Sequence, residues 1–157
     1  MKWMCALLLC VLCVGCDDAF KSLGEKPGTD TWIIGTWNFK VIEGNGRIDD
    51  DPVTGEFWAN HSHRLIEHEG SGRQDIDDAA WKIVGNNLVV LPIRGDSEAG
   101  PDMEEVKEAL AEYEVNPEKV GRKSVYKMED LAQDSVTLII DDGPGGTWKI
   151  KATRIKS

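Results

Sequence analysis

The sequence predicts a mainly β fold, an antiparallel up-and-down β-barrel with one α-helix inserted at about residues 102–114. Three observations carry that expectation. About eight or nine short segments alternate apolar and polar residues or run rich in β-branched and aromatic side chains. Nearly all of them are joined by tight Gly-, Asn- or Asp-containing turns, and tight turns force antiparallel neighbours because parallel pairing needs long crossovers. Only one stretch, from Asp102, has helical periodicity. A meander of this length leaves two exposed edges unless it closes on itself, so a barrel is the economical arrangement.

The first strand candidate runs from Thr31 to Glu43 and puts Ile33, Gly35, Trp37, Phe39 and Val41 on one face, with Asn38 and Lys40 on the other. Glu43-Gly44-Asn45-Gly46 is a turn, and the acidic loop Asp49-Asp50-Asp51-Pro52 follows, then Thr54-Gly55. Glu56 to Glu69 holds one or two strands, with Phe57, Ala59, His61, His63 and Leu65 sharing a parity and Trp58 and Ile66 on the other. A short strand is expected at Arg73–Ile76. Ala79–Val84 and Leu88–Ile93 flank Gly85-Asn86-Asn87 as a hairpin, and Pro92, which has no N–H to donate, should end its strand or lie at an edge. Asp102 is placed to cap the helix, with Glu105 three residues on as in a capping box. Met103, Val106, Leu110 and Tyr113 share its apolar face, which is expected to cover a barrel end, and Asn116-Pro117 stops it. Strands are expected again at Lys123–Met128, Ser135–Ile140 and Thr147–Ile155, the last two joined by Asp142-Gly143-Pro144-Gly145-Gly146.

The first residues belong to another argument. Lys2 followed by an apolar run from Met4 to Val14 fits a secretory signal, since the run falls short of the roughly 20 residues that span a bilayer. Val14-Gly15-Cys16 then resembles the lipobox of bacterial lipoproteins, with Cys13 where an aliphatic residue is usual. The resemblance implies a diacylated Cys16 as mature N-terminus. Residues 1–15 are therefore read as signal peptide, 16–30 as lipidated cysteine plus polar tether, and 31–157 as the barrel domain. Two acyl chains of about 14 methylenes each, at roughly 0.8 kcal/mol per methylene, give a gross anchor of about 20 kcal/mol. All four cysteines (Cys5, Cys10, Cys13, Cys16) precede the domain, so internal disulfides and thiol catalysis are excluded from it. A net charge of −10 without a Lys/Arg cluster argues against nucleic acid and against electrostatic docking on anionic lipid. Membrane contact is expected through the anchor, at the extracytoplasmic face of a bacterial envelope.

Gly35-Thr36-Trp37 on the first strand, with Arg154 on the last, resembles the signature of the lipocalin and fatty-acid-binding (calycin) superfamily. Trp81-Lys82-Ile83-Val84-Gly85-Asn86-Asn87-Leu88, then Tyr126 through Asp134-Ser135-Val136-Thr137-Leu138, is similar to small bacterial lipocalin-like lipoproteins. The resemblance spans roughly residues 31–155. It implies that the Trp37 indole packs at the closed end of the barrel beneath the Arg154 guanidinium. The inserted helix departs from a plain lipocalin meander, and the family's other motifs and ligands are not carried over. Physically, an indole brings about 150–250 Å² to bury, and a stacked guanidinium contributes about 0.5–2 kcal/mol. Gly35 would permit a close approach. These three are read as structural closure residues.

The most site-like cluster is His61, His63, Glu67 and His68. On a strand His61 and His63 share a face, and an imidazole pair suits zinc or copper, but His68 has the opposite parity and no third ligand is evident, so exposed polar residues are the favoured reading. Asp49-Asp50-Asp51 with Glu56 lacks the spacing of a calcium loop. No G-x-S-x-G is present, and the Gly-rich turns do not open helices, so no catalytic residue and no cofactor is expected. The aromatic bulk would fill a small barrel, the favoured outcome, or leave Phe39, Trp58, Trp81, Tyr126 and Trp148 lining a ligand cavity. The function expected is a membrane-anchored, non-enzymatic module binding a small apolar or amphipathic molecule. The alternative is an inhibitor or protein-interaction lipoprotein with a solid barrel. An aromatic-lined cavity of roughly 300 Å³ or more separates the first from the second.

Overall fold

Strand pairing runs in chain order and returns to its start. The computed structural model describes residues 26–44, 52–68, 74–93, 100–141, 143 and 146–156. Among these, α1 (Asp30–Ile33) leads into β1 (Gly35–Glu43), then β2 (Val53–Phe57), β3 (Ser62–His68), β4 (Gln74–Val84) and β5 (Asn87–Pro92). α2 (Met103–Val115) follows, and β6 (Ser124–Ala132), β7 (Ser135–Asp141) and β8 (Thr147–Arg154) complete the fold. The eight strands form a closed barrel in the order β1 to β8, every pair antiparallel. Closure joins β1 to β8, from Trp37 opposite Arg154 to Glu43 opposite Lys149, with a register shift between Val41 and Glu43.

The mainly β, up-and-down barrel is the architecture expected, but several elements differ in detail. Thr31–Glu43 is not one strand. Thr29 caps a helical turn, its hydroxyl accepting from the Trp32 N–H, and this turn carries Trp32 and Ile33 underneath the barrel before β1 begins at Gly35. The turn starts at Asp30, inside the segment read as tether. Glu56–Glu69 resolves into the end of β2 and the whole of β3, separated by a turn that places His61 at φ 63°. The strands expected at Arg73–Ile76 and Ala79–Val84 are one strand, β4. Asp77 and Asp78 look like loop residues, yet Asp78 is held mid-strand by Arg64 of β3, whose Nε and Nη2 donate to its two oxygens at 2.8 and 2.9 Å. β6 continues past Met128 to Ala132 through a register shift that puts Asp130 at φ 49°. Pro92 does end β5.

The helix begins one residue later than expected, with Asp102 as its cap, but its position is different. It does not cover a barrel end. Val106, Met103, Ala109, Leu110 and Tyr113 pack with Ala80, Val89 and Leu91, the outward-facing residues of β4 and β5. The reason lies in the strands: A-A-W and L-V-V-L are apolar on both faces, so their outer face also needs cover. Lys82 on that outer face donates to Glu114 of α2 at 2.6 Å.

At the closed end, Trp32, Ile33 and Trp37 are buried among Trp81, Met128, Val136 and Ala152. The two indoles meet edge-on at 5.2 Å. Trp37 Nε1 donates to the Ile33 carbonyl (2.7 Å), and Trp32 Nε1 to that of Gln133 (3.1 Å), so both buried N–H groups are satisfied. Arg154 lies over the Trp37 ring at 4.4 Å and donates to the carbonyls of Ile34 and Trp32. No helix among the described residues is long and apolar enough to cross a membrane.

Candidate functional site: a cavity above the barrel floor

Facing residues of paired strands share a side of the sheet, so the registers fix what points inward. Trp37 faces Gly55, Gly55 faces Leu65, and Leu65 faces Asp77; Phe57 faces His63, and His63 faces Ala79. On the other wall Leu88 faces Tyr126, and Leu138 faces Ile150. The closed half is filled by the tryptophan layer. Above it the side chains no longer meet, and a cavity of about 1100 Å³ opens. The expectation of a filled interior therefore holds for one end only. Above Trp37 and Trp81 the inward set turns to Val41, Val53, Leu65, Val90 and Ile150, too small to reach the centre.

The cavity has an apolar lower wall and a polar mouth. Phe39, Phe57, Leu88, Leu138 and Ile150 form the first; Glu67, His68, Asp77 and Arg122 belong to the second. Along β3 the inward positions are His63, Leu65 and Glu67, so Glu67 stands roughly 13 Å of strand above His63. Ser124 and Tyr126 add hydroxyls from β6, and burial raises the Tyr126 phenol above its ordinary value against the pull of its Ser124 hydrogen bond.

His63 is the unusual group in this wall. It is 5% exposed, its ring lies 4.3 Å from that of Phe57, and neither Nδ1 nor Nε2 has a hydrogen-bond partner. Burial lowers its pKa from 6.5 to about 4, overriding the opposing attraction of Asp78, so the ring is neutral at physiological pH. A β-carbon at Gly55 would fall 2.4 Å from Phe39 Cε2 and 3.1 Å from His63 Nε2, so the glycine makes room for both rings.

Of the aromatic residues singled out for lining, Phe39 and Tyr126 border the cavity. Trp81 instead is fully buried in the floor, edge-on to Phe57 at 5.8 Å, with its Nε1 donating to the Trp58 carbonyl. Trp58 lies in the β2–β3 turn, and Trp148 stands against Gly44 near the rim. Neither is among the residues bordering the cavity. His61 and His63 do not share a strand face, because His61 lies in the turn with its ring 4.8 Å from that of Trp81. Among the described residues no three His, Cys, Asp or Glu side chains converge as a metal set. His68 Nδ1 pairs with Gln74 Nε2. Gly35, Trp37 and Arg154 meet at the closed end, away from the cavity. Cys16 and Asp49-Asp50-Asp51 lie outside the described residues. Asp77, Arg122 and Leu88 are lining residues that the sequence alone does not single out; the strand registers place Asp77 opposite Leu65 and Leu88 opposite Tyr126.

No protein-family model matches the chain, and no curated protein matches it in sequence. Among solved structures, it is similar to a lipocalin-like protein from Bacteroides uniformis, at 16% identity and a TM-score of 0.49, covering 79% of this chain and 99% of that one. It is also similar to an uncharacterised protein from Bacteroides eggerthii, at 14% identity and a TM-score of 0.44, covering 75% of this chain and 97% of the other.

Proposed function

We propose that this protein is a non-enzymatic binding module of the bacterial envelope, held on a membrane through a lipidated Cys16, whose barrel takes up a small apolar or amphipathic molecule. The observation that carries the ligand reading is the cavity of about 1100 Å³ with apolar walls and a charged mouth. Binding pockets for small molecules measure about 300–1,000 Å³ and combine this kind of apolar lining with a few polar groups. Among the described residues the exposed large hydrophobic side chains are Ile42, Val84, Val115, Val125 and Ile155, none of them aromatic, and the cavity is the feature that favours a small ligand over a protein partner. The anchor reading is supported by the Val14-Gly15-Cys16 pattern after an apolar run.

Native mass spectrometry of the protein purified from its own cells tests the ligand reading. A bound lipid or small molecule is expected, and it should be lost when Val90→Trp fills the cavity. A barrel that arrives empty and also fails to take up a fluorescent naphthylamine dye would overturn the proposal. Cys16→Ser should move the protein from the membrane to the soluble fraction.

A further inference from the structure

The inward imidazole of His63 makes no hydrogen bond, and the Asp78 carboxylate attracts it without bonding either nitrogen. The groups packed closest to it are apolar: the Phe57 ring, the Phe39 ring across Gly55, and Ala79 opposite on β4. Buried polar side chains in folded proteins are nearly always paired, so an imidazole with both nitrogens unpartnered calls for an occupant. The occupant has to come from the cavity that this residue borders.

On the reading that the cavity holds a ligand, we propose that His63 is its polar anchor. The ligand is then an uncharged amphiphile that enters head first, seats a hydroxyl on the His63 imidazole, and lays its apolar body against Phe39, Leu88, Leu138 and Ile150. A neutral imidazole offers one N–H donor and one acceptor nitrogen, which match the two roles of a hydroxyl. A charged head is disfavoured at this depth for two reasons. The ring beneath it carries no compensating charge, and the surrounding aromatic and aliphatic wall would strip the head of water. The mouth does not select an anion either, because Glu67 and Asp77 stand there beside Arg122 and His68. Gly55 is the enabling residue: any side chain there would push into Phe39 and the Nε2 side of His63.

The test uses the full-length chain carrying Cys16→Ser, a phenylnaphthylamine dye as reporter, and three eight-carbon competitors: octanol, chlorooctane and octanoate. Octanol should displace the dye about tenfold better than chlorooctane, the worth of one buried hydrogen bond, and octanoate should gain nothing over chlorooctane. In His63→Phe the octanol preference should shrink to within about twofold while chlorooctane binding is kept. Should that variant fail to fold, nitrogen NMR of the wild-type protein decides: octanol, but not chlorooctane, should shift the His63 ring nitrogens. Equal displacement by octanol and chlorooctane, or a tighter octanoate, overturns the anchor while leaving the cavity reading intact. No dye binding by the wild-type protein overturns both.

Discussion

Gly35 and Gly85 both sit in the left-handed region, at φ 131° and 61°, yet a side chain at each would meet different surroundings. Nothing lies within 4 Å of a β-carbon at Gly85, whereas one at Gly35 would be 2.8 Å from Arg154 Nη1. That nitrogen is already donating to the Ile34 carbonyl, so Gly35→Ala would add the loss of a closure contact to the backbone strain. We expect Gly85→Ala to cost about 1 kcal/mol and Gly35→Ala about 2–4 kcal/mol in urea unfolding. His63 gives a second expectation at this scale. Its pKa is depressed from 6.5 to about 4 in the folded protein. Between those values the unfolded chain binds the proton and the folded one does not, so stability rises with pH. The contribution is complete above about pH 6.5 and is lost as pH falls toward 4, at up to about 1.4 kcal/mol per pH unit. Subtracting the pH profile of His63→Phe from that of the wild type isolates this slope from the many carboxylates; a flat difference would mean that the ring is solvated.

At the scale of elements, α2 shows both what the sequence makes legible and what it hides. Its start, its cap and its apolar face are readable because the 3.6-residue period and Asp102 are local properties. Its docking surface is not local. It depends on which faces of β4 and β5 point outward, and those follow from registers such as Ala80 opposite Leu91. The continuous apolar runs A-A-W and L-V-V-L were the available signal, since a strand with one wet face alternates. The same logic separates the two ends of the cavity. Phe39 and Tyr126 are legible as inward residues, but whether Trp81 lines or floors the cavity depends on how far the tryptophan layer reaches. The charge pair Arg64–Asp78 explains why β4 is continuous, and no single-strand pattern contains it. Because α2 covers the outside of the wall, Val106→Ala should lower stability by about 2 kcal/mol without changing dye affinity. A helix acting as a lid would give the reverse, a large change in affinity with little loss of stability.

At the scale of the molecule, the barrel exists only if its first and last strands meet, and residues 120 apart in sequence make that contact through Ile34 and Arg154. The motif pair is legible in the sequence because only a large ring and a planar cation can do what is needed there. The Trp37 indole seals the floor, and the Arg154 guanidinium stacks on it at 4.4 Å while its N–H groups reach the carbonyls of Ile34 and Trp32. Trp32, the other half of the plug, is less legible, since its place depends on a helical turn inside an apparent strand. The arrangement makes Arg154 a fork rather than a point charge. Lysine can keep the charge but cannot stack a flat face and bridge two carbonyls at once. Arg154→Lys should therefore recover less than half of the stability lost in Arg154→Ala. A double-mutant cycle with Trp37→Leu should show a coupling of about 1–2 kcal/mol, read from urea midpoints. Additive effects of the two substitutions would mean that the indole and the guanidinium each serve other partners, and that backbone pairing between β1 and β8 closes the barrel without them.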